Sequence, residues 1–196
     1  MNKNIILCGV GGQGTVLASK LIADAAMKKG LFVLSAETIG MAQRGGSVVS
    51  HLRVGEDLYS PMVAAGSADL ILGFEPGETV RMLPYLKEGG QVIVSAKPIM
   101  PITAALTEAS YQGEDMIAYL KNQIPGLVIV DTEKAIKDLG SPKALNVLLL
   151  GAAVESGALG LSEEEIKGAI QARLPVKLHE INFRALSYYK NQAERS

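Results

Sequence analysis

The chain has 196 residues, 48% of them hydrophobic and 20% charged, and its 19 basic and 20 acidic side chains give a formal net charge of −1. This balance disfavours a nucleic-acid partner, because no excess of basic residues is available to neutralise a phosphate backbone. The single cysteine, Cys8, excludes an intrachain disulfide framework and fits a reducing compartment.

The first third of the chain predicts strands that alternate with helices. Asn4–Val10 is a short apolar run, typical of a strand buried on both faces, and a glycine-rich turn leads from it into a helix over Gln13–Lys29. A second strand over Leu31–Ala36 completes a βαβ unit with the usual right-handed crossover. Ser47–Val54 predicts a strand that returns through Leu58–Ser60 as a hairpin, so we expect a mixed sheet.

Alternation resumes beyond the hairpin, and it predicts a mostly parallel sheet. The prolines within 98–111 leave that segment without a predicted element. The remaining predictions here are strands over Ala68–Phe74, Gln91–Ala96 and Leu127–Asp131, and helices over Pro76–Leu86 and Gly113–Gln123.

The last third of the chain predicts helices. Ser141–Pro142 begins a helix to about Ser156, and its apolar run over Ala144–Val154 falls short of the roughly 20 residues of a membrane span, so we expect it to be buried. Ser162 opens a capping box for the next helix, which ends near Arg173. A final amphipathic helix is predicted over Lys177–Gln192.

These elements predict a single three-layer, Rossmann-like α/β domain over residues 1–196, with a mostly parallel mixed sheet and a helical C-terminal end. The first residues, MNKN, lead directly into a strand without a basic-then-apolar signal segment. We therefore expect a cytoplasmic protein with no membrane or nucleic-acid partner.

The turn GVGGQG predicts a phosphate-binding loop. Its glycines fit the G-x-G-x-x-G pattern between a strand and a helix, where free backbone N–H groups and the helix dipole attract an anion. Glu37, 23 residues past Gly14, is placed to bind ribose hydroxyls. The alternative is that these glycines only permit tight strand-to-helix packing. The residues of this loop are Gly9, Gly11, Gly12, Gln13 and Gly14, of which Gln13 is expected to direct its amide into the cleft.

A second glycine loop, GMAQRGGS over 40–47, follows the second predicted strand. Arg44 is a planar, permanently charged donor that suits a carboxylate or a phosphate, although a surface ion pair is the alternative. Ligands of α/β sheets bind outside the carboxyl ends of the strands, so both glycine loops are expected to face one crevice. The candidate ligand-binding residues here are Gln43, Arg44, Gly45, Gly46 and Ser47.

Two further residues carry open interpretations. Glu75 follows a predicted strand at the same sheet edge, where it either orients Arg44 and lines the crevice or caps the helix that begins at Pro76. His51 lies in the strand after the second loop, and hydrogen bonding within the sheet is its simplest role. Two distant histidines without a nearby acidic or cysteine cluster give no metal signature.

Together, GVGGQG and E-x-x-G-M-x-Q-R-G-G-S-V-x-S-H-x-R resemble the gamma domain of the 2-oxoacid:ferredoxin oxidoreductases. The resemblance covers Asn2 to about Gln192, and the two motifs jointly are far more specific than the glycine motif alone. It is strongest to small subunits that act on indolepyruvate or similar aryl pyruvates. One departure is Ile39, where the small-subunit pattern has histidine, and it bears on which oxoacid is preferred.

The resemblance implies a reaction and a set of partners. A 2-oxoacid is oxidatively decarboxylated, coenzyme A receives the acyl group, and ferredoxin takes two electrons. Thiamine diphosphate, Mg and [4Fe-4S] clusters are expected in a large alpha subunit, since one cysteine cannot supply the four thiolates of a cluster. The chain is therefore expected to be inactive alone, with no catalytic or metal-binding residue of its own, and to reach ferredoxin only through the complex. In isolation it could form a homodimer.

The sequence leads to one hypothesis and two alternatives. In the hypothesis, the backbone amides of Gly11, Gly12 and Gly14, with Arg44, stabilise a coenzyme A phosphate or the substrate carboxylate. The first alternative is a free-standing Rossmann dehydrogenase that uses NAD(P). The second is a pure assembly module whose loops only grip a partner.

Overall fold

The structure is a computed structural model, and it describes residues 2–37, 45–100 and 111–193. In these ranges six strands form one mixed sheet in the order β2-β3-β1-β4-β5-β6. β1, β4, β5 and β6 run parallel, whereas β3 is antiparallel to both of its neighbours, β1 and β2. The strands are β1 Lys3–Val10, β2 Phe32–Glu37, β3 Ser47–Gly55, β4 Ala68–Gly73, β5 Leu86–Ser95 and β6 Val128–Val130.

Helices cover both faces of the sheet, and short 3₁₀ turns occupy Leu83–Tyr85, Pro142–Ala144 and Val176–Leu178. The α-helices are α1 Thr15–Lys28, α2 Pro76–Met82, α3 Gly113–Gln123, α4 Thr132–Leu139, α5 Leu145–Glu155, α6 Glu163–Arg173, α7 His179–Leu186 and α8 Tyr188–Ala193.

The alternation of side chains along β1 divides the core in two. Ile5 and Leu7 face a large cluster built with α1, α5, α6 and α7, whereas Ile6 and Cys8 face a smaller cluster. The 3₁₀ turn after α2 and the segment after α3 close the smaller cluster. The predicted three-layer α/β fold with a mixed sheet and a helical C-terminal end is confirmed.

The apolar helix α5 lies at the centre of the larger layer, and its residues Asn146–Ala153 are all buried. Its Gly151 allows close packing, because a Cβ there would lie 2.2 Å from the carbonyl oxygen of Leu186 in α7. The prediction of a buried helix is therefore correct. No helix in the described ranges has the length and apolar character needed to cross a membrane.

Three element predictions are wrong in part. The helix predicted over Pro76–Leu86 ends at Met82, and Leu86 already begins β5. Leu58–Ser60 forms no strand, so the predicted hairpin is absent, and β3 instead enters the sheet between β1 and β2. The final helix is interrupted at Ser187, which separates α7 from α8.

Two helix starts can be compared with the sequence. Pro142 begins a 3₁₀ turn, and the α-helix starts only at Leu145. The capping box at Ser162 and Glu165 is present, with both reciprocal hydrogen bonds.

Candidate functional site

The first glycine loop joins β1 to α1 at the carboxyl edge of the sheet. Gly12 and Gly14 have φ angles of 103° and 81°, a region that favours glycine. Gly14 is the N-cap of α1 and provides no side-chain cap. The first hydrogen bond of this helical turn runs from the Ala18 N–H to the Gly14 carbonyl, at 3.0 Å. The preceding N–H groups of the turn therefore lack intrahelical partners and point out of the helix end.

The Gln13 side chain stabilises the first glycine loop by bridging two backbone groups. Its Oε1 accepts a hydrogen bond from the Val10 N–H, and its Nε2 donates to the Phe74 carbonyl, both at 2.7 Å. Gly9 leaves room for this bridge, since a Cβ there would lie 2.6 Å from the Gln13 Oε1. The expectation that Gln13 directs its amide into the cleft is wrong, because two backbone partners already hold the amide.

The two glycine loops touch each other through their backbones. The Gly11 N–H donates to the Gly46 carbonyl at 2.8 Å, and the Gly45 N–H donates back to the Gly11 carbonyl at 3.3 Å. Both loops thus lie at the same sheet edge. The hypothesis must change at Gly11, whose amide is used in this contact and is not free for an anion. Ile39, Gln43 and Arg44 lie outside the described residues.

A cavity of about 330 Å³ opens beside this contact. Thr15, the first residue of α1, lines it and was missed by the sequence analysis. The residue is 3% exposed, and its Oγ1 has no hydrogen-bond partner among the described residues. A hydroxyl at the first helical position after a glycine loop was the available signal. The lining residues are Val10, Gly11, Gly12, Gly14, Thr15, Val16 and Val48.

Glu75 begins α2 at the same edge, directly after β4. It is fully buried, and its Oε2 accepts a hydrogen bond from the Glu78 N–H at 2.9 Å. Its Oε1 accepts from the Tyr111 hydroxyl and, at 3.4 Å, from the Ile99 N–H. Burial and the hydrogen bond to Glu75 raise the pKa of Tyr111. The helix-cap interpretation of Glu75 is confirmed, and Glu75 is not among the residues that line the cavity. Its orientation of Arg44 stays a prediction, because Arg44 lies outside the described residues.

Glu78 is a second buried carboxylate on the same turn, 3% exposed. Its Oε2 accepts from the Ser47 hydroxyl at 2.5 Å, and its Oε1 lies 3.3 Å from an Arg81 guanidinium nitrogen. Ser47 is the predicted site residue that ends the second glycine loop, so the loop is tied to α2. Sequence reasoning missed Glu78, although its i+3 spacing from Glu75 in E-P-G-E places both at the first turn.

Cys8 lies in the core beneath these carboxylates. It is fully buried, and burial raises the pKa of its thiol. A buried thiol with a raised pKa is an inert member of the core. In the described part of the chain, no group of three His, Cys, Asp or Glu side chains is arranged to hold a metal ion.

Glu37 ends β2, on the far side of β3 from the first glycine loop. It pairs with Ser50, and Ser50 pairs with Leu7 of β1. Neighbouring strands lie about 4.8 Å apart, so β2 runs about 10 Å from β1 instead of beside it. A dinucleotide-binding fold needs the acidic residue on the adjacent strand. The inserted β3 therefore counts against the NAD(P) alternative.

His51 lies in β3, but its side chain bonds outside the sheet, to the loop between β3 and β4, so the predicted hydrogen bond within the sheet is wrong. Its Nδ1 accepts a hydrogen bond from the Val63 N–H at 3.2 Å, and its ring meets the Tyr85 ring edge-on at a centroid distance of 5.6 Å. Burial lowers the pKa of His51, which favours the neutral ring that this acceptor role requires.

Comparison with known proteins gives consistent results. Residues 4–188 match the family described as pyruvate ferredoxin/flavodoxin oxidoreductase. The chain is 40% identical to the indolepyruvate oxidoreductase subunit IorB of Thermococcus kodakarensis, over 93% of this chain and 91% of that protein.

Two solved structures share the fold. The gamma subunit of a keto/oxoacid ferredoxin oxidoreductase from Geobacter sulfurreducens has a TM-score of 0.68 at 23% identity, and 99% of each chain is covered. A 2-oxoglutarate:ferredoxin oxidoreductase from Magnetococcus marinus, with 2-oxoglutarate, coenzyme A and succinyl-CoA bound, has a TM-score of 0.72 at 20% identity. The match covers 100% of this chain and 31% of that one.

Proposed function

We propose a function from the premise that this chain belongs to the pyruvate ferredoxin/flavodoxin oxidoreductase family. Within it, the chain is the small subunit of a 2-oxoacid:ferredoxin oxidoreductase that acts on indolepyruvate or a similar aryl pyruvate. The relative that is 40% identical carries the indolepyruvate name and is covered over 91% of its length, which supports this substrate class. The whole chain acts as one gamma-type domain.

The complex, in this proposal, converts a 2-oxoacid, coenzyme A and two oxidised ferredoxins into acyl-coenzyme A, carbon dioxide, a proton and two reduced ferredoxins. A large partner subunit supplies thiamine diphosphate, Mg and [4Fe-4S] clusters. The cysteine content of this chain supports the placement of the clusters in the partner. A cluster usually requires four thiolates, and the one cysteine here is buried in β1. The Magnetococcus marinus structure, whose chain is about three times as long, has coenzyme A bound.

The small subunit contributes an anion site at the carboxyl edge of its sheet. The donors are the N–H groups of Gly12 and Gly14, the open first turn of α1, the Thr15 hydroxyl and the Arg44 guanidinium. The helix end adds roughly half a positive charge. The anion is a coenzyme A phosphate or the substrate carboxylate. The observation that carries this proposal is the reciprocal backbone contact between Gly11 and the Gly45–Gly46 turn, beside the cavity.

Arg44→Ala in the assembled two-subunit enzyme tests the proposal. We expect the KM of coenzyme A or of the oxoacid to rise about tenfold or more, because a charge-assisted contact to an anion is lost. Arg184→Ala, which removes an exposed arginine in α7, is the matched control and should change neither KM. If Arg44→Ala keeps full turnover and both KM values, the loops only grip the partner and the anion site is refuted.

A further inference from the structure

The first turn of α2 makes hydrogen bonds to Ser47 at the end of the second glycine loop, to Ile99 and to Tyr111. Glu78 holds Ser47, while Glu75 accepts hydrogen bonds from Ile99 and Tyr111. The Tyr111 oxygen in turn accepts a hydrogen bond from the Gly77 N–H at 3.1 Å. Glu75, Gly77 and Glu78, all in or next to the first turn of α2, thus make these contacts within one small region.

We propose that Glu78 is a positioning residue for the anion site, acting through Ser47 on the Gly45–Gly46 turn. This inference rests on the proposed function, and it adds a residue that touches no ligand itself. The path is short. Glu78 holds the Ser47 hydroxyl, Ser47 directly follows Gly46, and Gly46 accepts the Gly11 N–H beside the cavity.

The carboxylate of Glu78 is not needed to cap α2. Glu75 already caps this helix by accepting the Glu78 N–H. Burying a second carboxylate costs free energy that a neutral side chain of the same size would avoid. Arg81 offsets part of this cost at 3.3 Å, but its guanidinium is largely exposed. The Ser47 hydroxyl is the partner that a buried carboxylate holds more strongly than a neutral acceptor would.

The two glycines at 45 and 46 explain why the turn needs the Glu78–Ser47 hydrogen bond as a restraint. Gly45 has a φ angle of 79°, and glycine backbones lose more conformational freedom on ordering than any other residue. Without a restraint at Ser47, the turn would sample conformations in which the contact with Gly11 is broken. The Glu78–Ser47 hydrogen bond removes that freedom before the ligand arrives, and preorganisation of this kind improves affinity.

Ser47→Ala in the assembled enzyme tests the inference, with two readouts. Amide hydrogen exchange at Gly45 and Gly46 should become about tenfold faster, since the turn opens more often. The KM of whichever compound responds to Arg44→Ala should rise about tenfold, with kcat within about twofold of the wild type. Ser47→Thr retains the hydroxyl and should restore both values.

Two further variants complete the design. Ser156→Ala removes a hydroxyl that donates to the Ala153 carbonyl, and it should change neither readout. Glu78→Gln keeps an acceptor without charge and should give an intermediate change. The double variant Ser47→Ala with Glu78→Gln should be no worse than Ser47→Ala alone, because both act on one hydrogen bond.

The readouts separate the two proposals. Unchanged hydrogen exchange at Gly45 and Gly46 in Ser47→Ala overturns the positioning role, whatever Arg44→Ala does. Faster exchange with unchanged KM values in Ser47→Ala shows that the hydrogen bond orders the turn but overturns its role in positioning the site, and a raised KM in Arg44→Ala would still support the anion site.

Discussion

The two ends of the sheet treat polar groups in opposite ways. At the amino end, the Asn4 N–H donates to Asp69 at 2.7 Å, the Arg53 Nε donates to the Asn4 side chain at 2.9 Å, and Lys87 pairs with Asp69. At the carboxyl end, the first turn of α1 leaves N–H groups open and the buried Thr15 hydroxyl has no partner among the described residues. The amino-end groups named here bond to one another, whereas the carboxyl end retains donors without a partner in the described ranges, beside the hydrogen-bonded Gln13 and Glu75.

This difference separates structural polar groups from candidate functional ones. A buried donor without a partner costs free energy, so native proteins retain few of them. Those that remain beside a cavity are where a ligand or a partner chain can add the missing acceptor. We therefore expect substitutions at the amino end to affect only stability, and a substitution at Thr15 to weaken binding without lowering stability.

The largest expected effect comes from filling the space under the first glycine loop. Gly9→Ala places a Cβ 2.6 Å from the Gln13 Oε1 and 2.7 Å from the Phe74 Cβ. We expect a loss of about 3 kcal/mol in the free energy of unfolding, from overpacking and the disturbed Gln13 bridge. Urea unfolding of the isolated chain measures it.

Gly168→Ala is the control for this prediction. Gly168 lies within α6, and a Cβ there would meet only the flexible end of Lys28, at 3.5 Å. It should leave stability unchanged or raise it by up to about 1 kcal/mol, since alanine is the better helix former. A Gly9→Ala variant as stable as Gly168→Ala would contradict the structural role of the Gln13 bridge.

Thr15→Val should weaken binding without weakening the fold. Valine keeps the branched shape but removes the hydroxyl, so we expect about tenfold lower affinity for the anionic ligand in the assembled enzyme. Because the lost hydroxyl has no partner among the residues that the structure describes, the free energy of unfolding of the isolated chain should stay the same or rise. Calorimetric titration with coenzyme A and with indolepyruvate measures the affinity.

Ser19→Ala provides the matched control for Thr15→Val. Ser19 lies one helical turn further along α1 and is also a buried hydroxyl without a partner in the described ranges. It does not line the cavity. If Thr15→Val, Ser19→Ala and the wild type bind coenzyme A and indolepyruvate with equal affinity, the open donors at the carboxyl end do not bind the ligand.

Replacing His51 should have a smaller, pH-dependent effect on the free energy of unfolding, because its Nδ1 can accept the Val63 hydrogen bond only in the neutral ring. Its folded pKa is lowered by burial, so the unfolded chain binds a proton more readily. Stability from this residue is complete above the unfolded pKa of about 6.5 and falls as the pH drops through it. His51→Asn, which can keep an acceptor near the Nδ1 position, should flatten the unfolding profile between about pH 7 and pH 5. His179 remains in both proteins, so the difference between them reports on His51. The same pH profile of unfolding in the variant and the wild type would refute this role of His51.

Lys87→Met should have the smallest effect. The ion pair with Asp69 is half exposed on the lysine side, and such pairs contribute about 0–1 kcal/mol. We expect a change in unfolding free energy below about 1 kcal/mol and no change in the KM of either substrate. A clear rise in either KM would place function at the amino end as well.

Local patterns predicted most of the fold, because they depend on neighbouring residues. The apolar run at Asn4–Val10, the capping box at Ser162 and the buried run in α5 each have the predicted form. The position of β3 was not predictable in this way. Its place between β1 and β2 is a long-range pairing, and the sequence signal of a strand followed by Gly55 and Asp57 equally fits a hairpin.

The site was predictable as a location but not in its contacts. Glycine patterns placed both loops at one edge, and their backbones meet there. That the Gly11 amide is used by Gly46, and that Gln13 turns inward to Phe74, depends on side-chain and backbone geometry that spacing does not encode. Thr15 and Glu78 were missed because threonine and glutamate are also ordinary residues of a first helical turn.

The most direct test of the anion site is an experimental structure of the assembled enzyme with coenzyme A and, separately, with the oxoacid. We predict that a phosphate or carboxylate oxygen of one of them lies within about 3.2 Å of the Gly12 or Gly14 amide nitrogen, with the Thr15 hydroxyl as a further donor. Both ligands bound elsewhere, with the cavity beside Gly11 closed by protein side chains of the partner, would contradict it.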